Sequence, residues 1–498
     1  MKIEEIINID NTIPVGWEVV LLDDLVLKIF AGGDKPDEVS NEKTEEFSYP
    51  IFSNGLKDKG LYGYSNAYRV DEECITISAR GTIGYTEVRT PKFTPIVRLI
   101  VIVPTEYTLS KYLKFYFENL IVEKSGTSIP QLTVPMIKPI PIKLPPLNEQ
   151  KRIVAKIEKL FSNLDNSDKY LLHLEKQLKR YRQSVLKSAF EGELTKEWRK
   201  KQSNLETADE LLEKIKIERT LYIENEIREK FKDKTEKWIK DKVKNEVDKF
   251  YSTLKPIEDD KPFTIPTQWE WHLIQESTIK IHYGYTATSD KNIDGIGYLR
   301  ITDIQNNKVN WDEVPNCIIS EEEVKKYELE DDNIVFARTG ATVGKSFLIK
   351  DIPIRSVFAS YLIRLIPSNQ IYSNYIYKFF QSPIYWNQIR ENESGIGQPN
   401  VNAEKLSNLI FPLCSLEEQI EVVAEIEKHF SIIDKLEVVV QQSIKESKRL
   451  RQSILKQAFE GKLVEQDPND ESASILLEKI AKAKEEYLKE QKKQVRKK

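Results

Sequence analysis

One stretch of the chain imitates a phosphate-binding loop. Residues 340–346 read Gly-Ala-Thr-Val-Gly-Lys-Ser, close to the pattern in which two glycines precede Lys and then Ser or Thr. That pattern has four residues between its glycines, so that successive backbone N–H groups surround a phosphate, but here only three residues separate Gly340 from Gly344. A tight glycine turn between two strands is therefore the better prediction, and a nucleotide-binding enzyme with a degenerate loop remains an alternative.

Other patterns of catalytic chemistry are missing from the sequence. The four histidines lie far apart, and the three cysteines lack the spacing of metal ligands. No Gly-x-Gly-x-x-Gly follows an expected strand, and no Gly-x-Ser-x-Gly nucleophile motif occurs. The sequence therefore favours a recognition protein over an enzyme. So few cysteines, and no apolar run long enough to cross a membrane, predict a cytoplasmic protein.

The elements that would position any site are duplicated within the chain. Residues 147–194 align without gaps on residues 416–463, with 24 of 48 positions identical. A shorter match precedes each copy, because Ile13-Pro-Val-Gly-Trp17 corresponds to Ile265-Pro-Thr-Gln-Trp269. The similar copies are expected to do one job twice, and the divergent segments before them to act on different targets. We divide the chain into four segments: A (1–146), H (147–256), A′ (257–415) and H′ (416–498).

H and H′ carry the pattern of long helices. Apolar residues recur every seven positions from Ile157 to Val185, and H′ repeats this less regularly. A helix of about 43 residues is about 65 Å long, so we expect the two helices to pair as an antiparallel coiled coil rather than each pack on its own A segment. The expected seam residues are Leu164, Leu171, Leu178, Ile426 and Ile433, with Leu160, Leu174, Tyr181, Leu436 and Leu450 at offset positions.

The ends of these helices have their own signals. Ser415-Leu-Glu-Glu418 predicts a capping box at the start of H′. Gly192 and Gly461 predict left-handed caps at the ends of the two helices. Charged helices are expected to extend H to about Phe250, and H′ to end in a lysine-rich tail.

A and A′ are expected to be mixed and β-rich. Short β-branched and aromatic runs bounded by Gly and Pro predict strands, and one helix per segment is expected, near Lys111–Leu120 and Asn374–Ile389. The predicted fold class is therefore α+β. Two mixed, β-rich globular domains alternate with two long helices that pair as an antiparallel coiled coil.

These motifs, at these places, resemble the specificity subunit of type I restriction–modification systems. Each A segment opens with Ile-Pro-x-x-Trp, carries an Ala-Arg-(Thr)-Gly turn and ends in a Pro-rich strand before Leu-x-Glu-Gln. Each H segment then carries Arg-Gln-Ser-(Val/Ile)-Leu-Lys-x-Ala-Phe-Glu-Gly. The resemblance covers nearly the whole chain. It implies that A and A′ are target-recognition domains, each reading one half of a bipartite site in double-stranded DNA, and that H and H′ hold them a fixed distance apart.

The resemblance also implies partners and cofactors. Two DNA-methyltransferase subunits would dock on the H segments and methylate adenine, and a motor and nuclease subunit would join them to restrict unmodified DNA. This chain would carry no catalytic residues and bind no metal or cofactor, while S-adenosylmethionine, ATP and Mg²⁺ would bind to the partner subunits. A purely structural coiled-coil scaffold is the second alternative.

Candidate DNA contacts follow from the chemistry of base edges. Arg suits guanine, and Asn or Gln suits adenine, when they lie on loops near the groove. For each single residue, an ordinary turn or surface role is the alternative. The glycine turns are also out of register, because Thr339 separates Arg338 from Gly340 but nothing separates Arg80 from Gly81. The candidates are Tyr64, Arg80, Thr82 and Gln131 in A, and Tyr285, Arg338, Thr342, Lys345, Gln398 and Asn400 in A′.

Four phenylalanines recur in both copies of H. Phe161 and Phe430 are expected in an intramolecular core, whereas Phe190 and Phe459, near the helix ends, are candidate anchors for a partner helix. Their identical places in the two copies predict that each pair has one role.

The formal charge is unevenly distributed. The net charge of −4 divides into −4 for A, +6 for H, −6 for A′ and 0 for H′. Acidic domains attract DNA phosphates poorly, which is awkward for DNA-reading domains. We therefore expect the partner subunits to supply nonspecific phosphate attraction, and the isolated chain to bind DNA weakly.

Overall fold

The chain forms two compact halves. The first contains the chain up to His173 and from Val440 onward, and the second is Leu174–Val439. A therefore belongs to the first half and A′ to the second, and each long helix contributes a part to both. The computed structural model describes residues 13–123, 131–257, 261–305, 308–339, 342–391 and 401–495.

A is organised around small sheets of short strands. Within its described residues the strands are β1 (Glu18–Leu21), β2 (Val26–Ala31), β3 (Tyr49–Phe52), β4 (Leu61–Ser65), β5 (Cys74–Ile77), β6 (Thr86–Arg89), β7 (Thr94–Pro95), β8 (Ile100–Pro104) and β9 (Pro141–Leu144). The largest sheet has the order β2-β8-β5-β6 with antiparallel neighbours. A second sheet has the order β4-β3-β7, and β1 pairs with β9.

A′ repeats this plan with additional strands. Its described strands are β10 (Glu270–Leu273), β11 (Thr278–Tyr283), β12 (Ser289–Asp290), β13 (Ile296–Leu299), β14 (Ile304–Gln305), β15 (Lys308–Val309), β16 (Asn316–Cys317), β17 (Ile334–Ala337), β18 (Ser346–Leu348), β19 (Ser356–Phe358), β20 (Leu362–Pro367) and β21 (Ile410–Leu413). The sheet β11-β20-β17-β18 corresponds to β2-β8-β5-β6, and the pair β10-β21 to β1-β9. The sheet β12-β16-β13-β19 and the hairpin β14-β15 complete A′. Two β-rich segments are thus confirmed.

Helices join and flank these sheets. The longest are α4 and α12, with 44 residues each. The helices are α1 (Leu22–Leu25), α2 (Ser110–Glu123), α3 (Val134–Ile137), α4 (Leu147–Phe190), α5 (Lys196–Arg199), α6 (Ala208–Lys230), α7 (Glu236–Ser252), α8 (Glu321–Tyr327), α9 (Ser373–Phe379), α10 (Pro383–Glu391), α11 (Ala403–Ser407), α12 (Leu416–Phe459) and α13 (Ala473–Val495). Short 3-10 turns occur at Lys57–Gly60, Ile274–Ser277, Ile301–Asp303 and Trp311–Glu313.

One expectation about a helix needs correction. The single helix expected over Asn374–Ile389 is two helices, α9 and α10, because the chain leaves the first helix after Phe379 and Pro383 starts the second. The charged helices expected to extend H are α6 and α7, each begun by a threonine whose side chain accepts a backbone N–H. These two helices share a small core of Ile227, Ile239, Val243 and Val247.

The long helices contact each other, but their seam is only partly buried. Ile157, Leu178, Val185, Ile426 and Ile433 are buried, whereas Leu164 and Leu171 are half-buried. The predicted offset positions are divided, since Leu160 and Leu174 are half-buried whereas Tyr181, Leu436 and Leu450 are 48%, 43% and 49% exposed. A regular heptad pattern predicts that two helices contact each other. Because these helices also pack on a globular segment, only some of the residues at the offset positions are buried.

The helix ends follow the predicted signals, with one correction. Gly192 and Gly461 have φ of +76° and +71°, the left-handed caps that were expected. Ser415 accepts the backbone N–H of Glu418 at 3.2 Å, as in a capping box. The Glu418 carboxylate does not complete the box, because its oxygens instead accept from Trp269, Thr195 and Arg199.

Two general features concern the described part of the chain as a whole. None of its helices combines the length and the apolar character that crossing a membrane requires. Within the same residues, no group of three or more His, Cys, Asp or Glu side chains is arranged to hold a metal ion.

Candidate nucleic-acid interface

The A hairpin (residues 78–85) joins β5 to β6. The backbone N–H of Gly84 donates to the Ser78 carbonyl at 2.8 Å, and Gly81 and Gly84 have φ of +68° and +87°. Glycine is needed at both places because other residues adopt positive φ at a cost. The tip therefore presents Arg80, whose side chain is exposed.

Two predicted contacts of A meet at this tip. Arg80 Nη2 donates to Gln131 Oε1 at 2.9 Å, although the residues are 51 positions apart in the chain. Thr82 lies in the same hairpin, and its buried Oγ1 has no hydrogen-bond partner among the described residues. Tyr64 lies on β4, where its backbone pairs with Ser40, and no contact joins its side chain to the tip. Arg80, Thr82 and Gln131 thus form a cluster, and Tyr64 stays a separate candidate.

The A′ hairpin (residues 337–345) joins β17 to β18 in the same manner. Gly344 N–H donates to the Ala337 carbonyl at 2.9 Å, and Lys345 N–H donates to the Thr342 carbonyl at 3.0 Å. Gly340 and Ala341 lie outside the described residues. Since the strand β18 begins at Ser346, the chain does not pass from strand through loop into helix, as a phosphate loop requires. This geometry disfavours the nucleotide-binding alternative.

The candidates of A′ are less clustered than those of A. The Arg338 guanidinium lies 4.8 Å from the centre of the Tyr283 ring, and its buried Nε has no partner among the described residues. Thr342 and Lys345 line a cavity of about 320 Å³ beside the hairpin, and Lys345 is exposed. Tyr285 packs on Tyr327 with ring centres 5.5 Å apart. Two further candidates, Gln398 and Asn400, lie outside the described residues.

Backbone hydrogen bonds confirm that the two hairpins are out of register at the shared Ala-Arg motif. The Ala79 carbonyl accepts from Leu132 N–H at 2.9 Å, and the Arg338 carbonyl accepts from Val401 N–H at 3.3 Å. The backbone place of Arg338 is therefore that of Ala79, not of Arg80. The A′ hairpin is one residue longer, so the two arginines of the shared Ala-Arg motif occupy different places. The extra Thr339 between Arg338 and Gly340 had already indicated this offset in the sequence.

Each segment is fixed to the long helices by a buried indole–carboxylate hydrogen bond. Trp17 Nε1 donates to Glu149 Oε2 at 3.0 Å, and Trp269 Nε1 donates to Glu418 Oε2 at 2.8 Å. Sequence reasoning used these residues only as repeat markers. Their recurrence as Ile-Pro-x-x-Trp and Leu-x-Glu-Gln was the signal that could have identified the joint.

The prolines and glycines of the same motifs also meet. A Cβ on Gly192 would lie 2.4 Å from Pro266 Cγ, and one on Gly461 would lie 2.1 Å from Pro14 Cγ. Glycine is thus required there for close approach as well as for its positive φ. A is held by the start of α4 and the end of α12, and A′ is held by the end of α4 and the start of α12.

Phe190 and Phe459 belong to these joints, which corrects their predicted role. Phe190 is fully buried beside Tyr375 and Phe379, with ring centres 5.2 and 5.6 Å away. Phe459 is 4% exposed and packs in the same way on Tyr112 and Tyr116, at 5.4 and 4.9 Å. They are therefore not available to anchor a partner helix.

Phe161 and Phe430 lie where α4 and α12 contact each other. The Arg451 guanidinium lies 5.2 Å from the Phe161 ring, and that of Arg182 lies 4.5 Å from the Phe430 ring. Phe430 is 9% exposed and Phe161 is half-buried, so both belong to the intramolecular packing that was expected.

The same arginines form ion pairs that show the direction of the helices. Arg451 contacts Asp165 at 2.7 Å in the first half, and Arg182 contacts Asp434 at 2.5 Å in the second. The early part of α4 thus meets the late part of α12, and the late part of α4 meets the early part of α12. The predicted antiparallel pairing is confirmed.

Comparisons with known proteins agree on one family. The model of the type I restriction modification DNA specificity domain matches residues 14–176 and 279–446, more than half of the chain. The specificity subunit of the Escherichia coli type I restriction enzyme EcoDI is 25% identical over 501 residues, covering 94% of this chain and 95% of that protein. A Mycoplasma pneumoniae protein named as a type I specificity subunit is 39% identical over 141 residues, which are 28% of this chain and 42% of that protein.

Solved structures support the fold. A chain from a study of complex assembly and conformational transition in the type I restriction–modification system matches with a TM-score of 0.60. The identity is 16%, and the match covers 91% of this chain and 99% of that one. At this identity the likeness shows the shared architecture and nothing about individual contacts.

Proposed function

We propose, from the premise that this chain belongs to the type I restriction modification DNA specificity domain family, that A and A′ each read one half of an asymmetric, bipartite DNA target. The observation that carries the proposal is the contrast between the joints, which are alike in the two halves, and the hairpins, which are not. The indole–carboxylate and phenylalanine contacts of the joints recur in both halves, whereas the exposed hairpins differ in length, register and side chains. A duplicated scaffold with two different hairpins suits a target whose halves have different sequences.

The hairpins supply suitable chemistry for reading base edges. Arg80 offers a guanidinium fork beside the amide of Gln131, groups that recognise guanine and adenine in the major groove. Lys345 is the exposed cation of the A′ hairpin, and Arg338 stands on the Tyr283 ring. Their local charge matters because A and A′ carry net charges of −4 and −6. The proposal therefore assigns nonspecific phosphate attraction to the partner subunits.

Two equal methyltransferase subunits are the proposed main partners. Exposed apolar residues on the long helices recur at the same places of the repeat, which favours two equivalent docking places. Tyr181 and Leu450 are 48% and 49% exposed, and Tyr170 and Val439 are 66% and 59% exposed. Each half of the molecule contains one member of each pair. A motor and nuclease subunit completes the proposed complex.

Catalysis and cofactors are assigned to those partners. The proposal gives this chain no catalytic residue and no cofactor, and places S-adenosylmethionine, ATP and Mg²⁺ on the partner subunits. A cytoplasmic location belongs to the same proposal, and the three free, buried cysteines are compatible with it.

The decisive experiment combines the chain with the methyltransferase subunit of its own system in a host without adenine methylation. Sequencing of the modified adenines should give one motif with two separate half-sites. Arg338→Ala should then relax or weaken one half-site only, because the hairpin of A is untouched. Equal loss at both half-sites, or no loss, contradicts the assignment of A′ to one half-site.

The alternatives predict other outcomes. Binding of ATP or GTP by the isolated chain would favour the enzyme with a degenerate phosphate loop. Absence of DNA binding when the methyltransferase subunits are present would favour a purely structural scaffold.

A further inference from the structure

A second pair of equivalent turns lies beside the hairpins, and sequence reasoning did not select it. In A the turn precedes β8, and Leu99 N–H donates to the Ile96 carbonyl at 3.1 Å. In A′ the turn precedes β20, and Leu362 N–H donates to the Ala359 carbonyl at 2.9 Å. We call them the A turn (residues 96–99) and the A′ turn (residues 359–362).

Hydrogen bonds to the residues just after the edge strands, β2 in A and β11 in A′, establish the equivalence. Val97 N–H donates to the Gly33 carbonyl at 2.9 Å, and Ser360 N–H donates to the Tyr285 carbonyl at 2.8 Å. By this register Arg98 and Tyr361 occupy the same place in their turns. The two sequences share no arginine or tyrosine motif at these positions, so only the backbone hydrogen bonds bring Arg98 and Tyr361 into correspondence.

The A turn holds an unfavourable backbone conformation. Val97 and Arg98 have φ of +53° and +64°, which is rare for any side chain and most costly for a β-branched one. Glycine or asparagine would meet the same backbone requirement at lower cost. The turn nevertheless presents Val97 at 49% exposure and an exposed Arg98 beside it. A costly backbone that displays two large side chains favours a role for those side chains.

Arg98 is available for a ligand. No hydrogen bond or ion pair to another described residue holds its side chain, in contrast to Arg89, whose guanidinium donates to Thr76 and to the Lys59 carbonyl. The A segment is acidic overall, and Arg98, like the exposed Arg80 of the hairpin, places a positive charge on its surface without a carboxylate partner. Tyr361 is similarly displayed, with 62% of its surface exposed.

Each turn is tied to the hairpin beside it. In A, the Asn54 side chain bridges the two, because its Nδ2 donates to the Val97 carbonyl and its Oδ1 accepts from Ala79 N–H, both at 2.7 Å. In A′ the link is direct, since Arg338 N–H donates to the Tyr361 carbonyl at 3.1 Å. Turn and hairpin therefore form one surface in each segment, fixed by hydrogen bonds rather than by chain proximity.

We propose that Arg98 and Tyr361 are DNA contacts that act beside the hairpins, and that Arg98 is a specificity-determining residue for the half-site read by A. The inference rests on the proposed function. Arg98 reaches a base edge with its unpaired guanidinium, and Tyr361 supplies a ring and a hydroxyl at the corresponding place in A′. Asn54 is a positioning residue, since it fixes the A turn relative to Arg80.

The test uses the full chain with its methyltransferase subunits, and the modified motif is sequenced as above. Arg98→Gly removes the side chain and relieves the positive φ, so the melting temperature should stay the same or rise. One base position in a single half-site should nevertheless become degenerate. Tyr361→Ala should weaken the other half-site. Lys43→Ala is the control, because it removes an exposed cation of A that lies outside the turn and the hairpin.

Quantitative binding distinguishes base reading from phosphate attraction. With a duplex carrying the wild-type motif, Arg98→Gly should lower affinity about 10–100-fold, and Arg98→Lys should not restore it. With a duplex already mutated in the half-site read by A, wild type and Arg98→Gly should bind equally. Full rescue by lysine, equal losses on both duplexes, or no loss would overturn the inference. A wild-type complex without any bipartite motif would instead refute the proposed function.

Discussion

The two halves of the molecule share their joints and differ at their hairpins. Indole, carboxylate, phenylalanine and arginine contacts of the first half reappear in the second at distances that differ by 0.7 Å or less. The hairpins share their hydrogen-bond frame, but the A′ hairpin has an additional residue and places its arginine elsewhere. The duplicated scaffold thus leaves the hairpins free to diverge, because no joint residue lies in them.

The joints are not identical in their polar partners. Glu418 Oε1 accepts from Thr195 Oγ1 and Arg199 Nε, both at 2.7 Å. The residue that follows the repeat in the first half is Val464, which has no hydroxyl to offer Glu149. Burial accordingly raises the pKa of Glu149, while its hydrogen bond from Trp17 acts in the opposite direction. The two joints are therefore more alike in their apolar contacts than in the partners of their buried carboxylates.

The largest expected effect concerns the two buried phenylalanines. Phe459→Ala and Phe190→Ala should each lower the free energy of unfolding by about 3–5 kcal/mol, because each leaves a cavity between two aromatic rings. Denaturant unfolding measures the loss, and hydrogen exchange should place it in α2 for the first variant and in α9 for the second. Leu56→Ala, at a side chain that is 59% exposed, is the control. A loss in one variant only would break the equivalence of the joints.

A difference between halves should appear in the pH dependence of stability. Burial raises the pKa of Glu118 to about 7, with Lys114 opposing the shift and Glu87 adding to it. Gln381 stands at the corresponding place in A′, by the alignment of Tyr112 with Tyr375. The first half alone should therefore respond to pH at this position.

The sign follows from proton linkage. The folded state holds the Glu118 proton more tightly than the unfolded chain. The contribution of this proton to the stability of the fold is therefore complete below the ordinary pKa of 4.5 and is lost as the pH rises to about 7. Glu118 is 31% exposed, so solvent screening limits the effect to about 1–2 kcal/mol. Glu118→Gln should flatten that part of the stability profile and stabilise the protein at pH 8. An unchanged profile would show that this carboxyl titrates normally.

The sequence predicted the larger elements and the pairing of the helices, because both depend on periodic burial. It selected Arg80, Thr82 and Gln131 by residue type and loop position, but their proximity is visible only in the structure, since β9, which follows Gln131, pairs with β1 and not with the hairpin strands. It misassigned Phe190 and Phe459, because apolar residues near a helix end look the same whether their partner is in the same chain or another. It could not identify the A turn, whose importance depends on φ values and on a hydrogen bond from Asn54, 43 residues away.

The smallest expected effect tests the ion pairs between the long helices. Arg182 contacts Asp434 and Glu437, and Arg451 contacts Asp165 and Asp168. The arginines are 26% and 25% exposed, while Asp434 and Asp165 are 63% and 60% exposed. Solvent therefore screens both networks, and each should contribute only about 0.5–1 kcal/mol.

Arg182→Ala and Arg451→Ala should accordingly lower the free energy of unfolding by equal, small amounts, and 0.5 M salt should reduce both losses. Arg182→Lys and Arg451→Lys are the matched controls, because they keep the charge but lose the planar contact with Phe430 and Phe161. If lysine restores less than half of the loss, stacking on the ring outweighs the ion pair. Unequal losses for the two alanine variants would show that the helix contact, unlike the joints, has diverged between the halves.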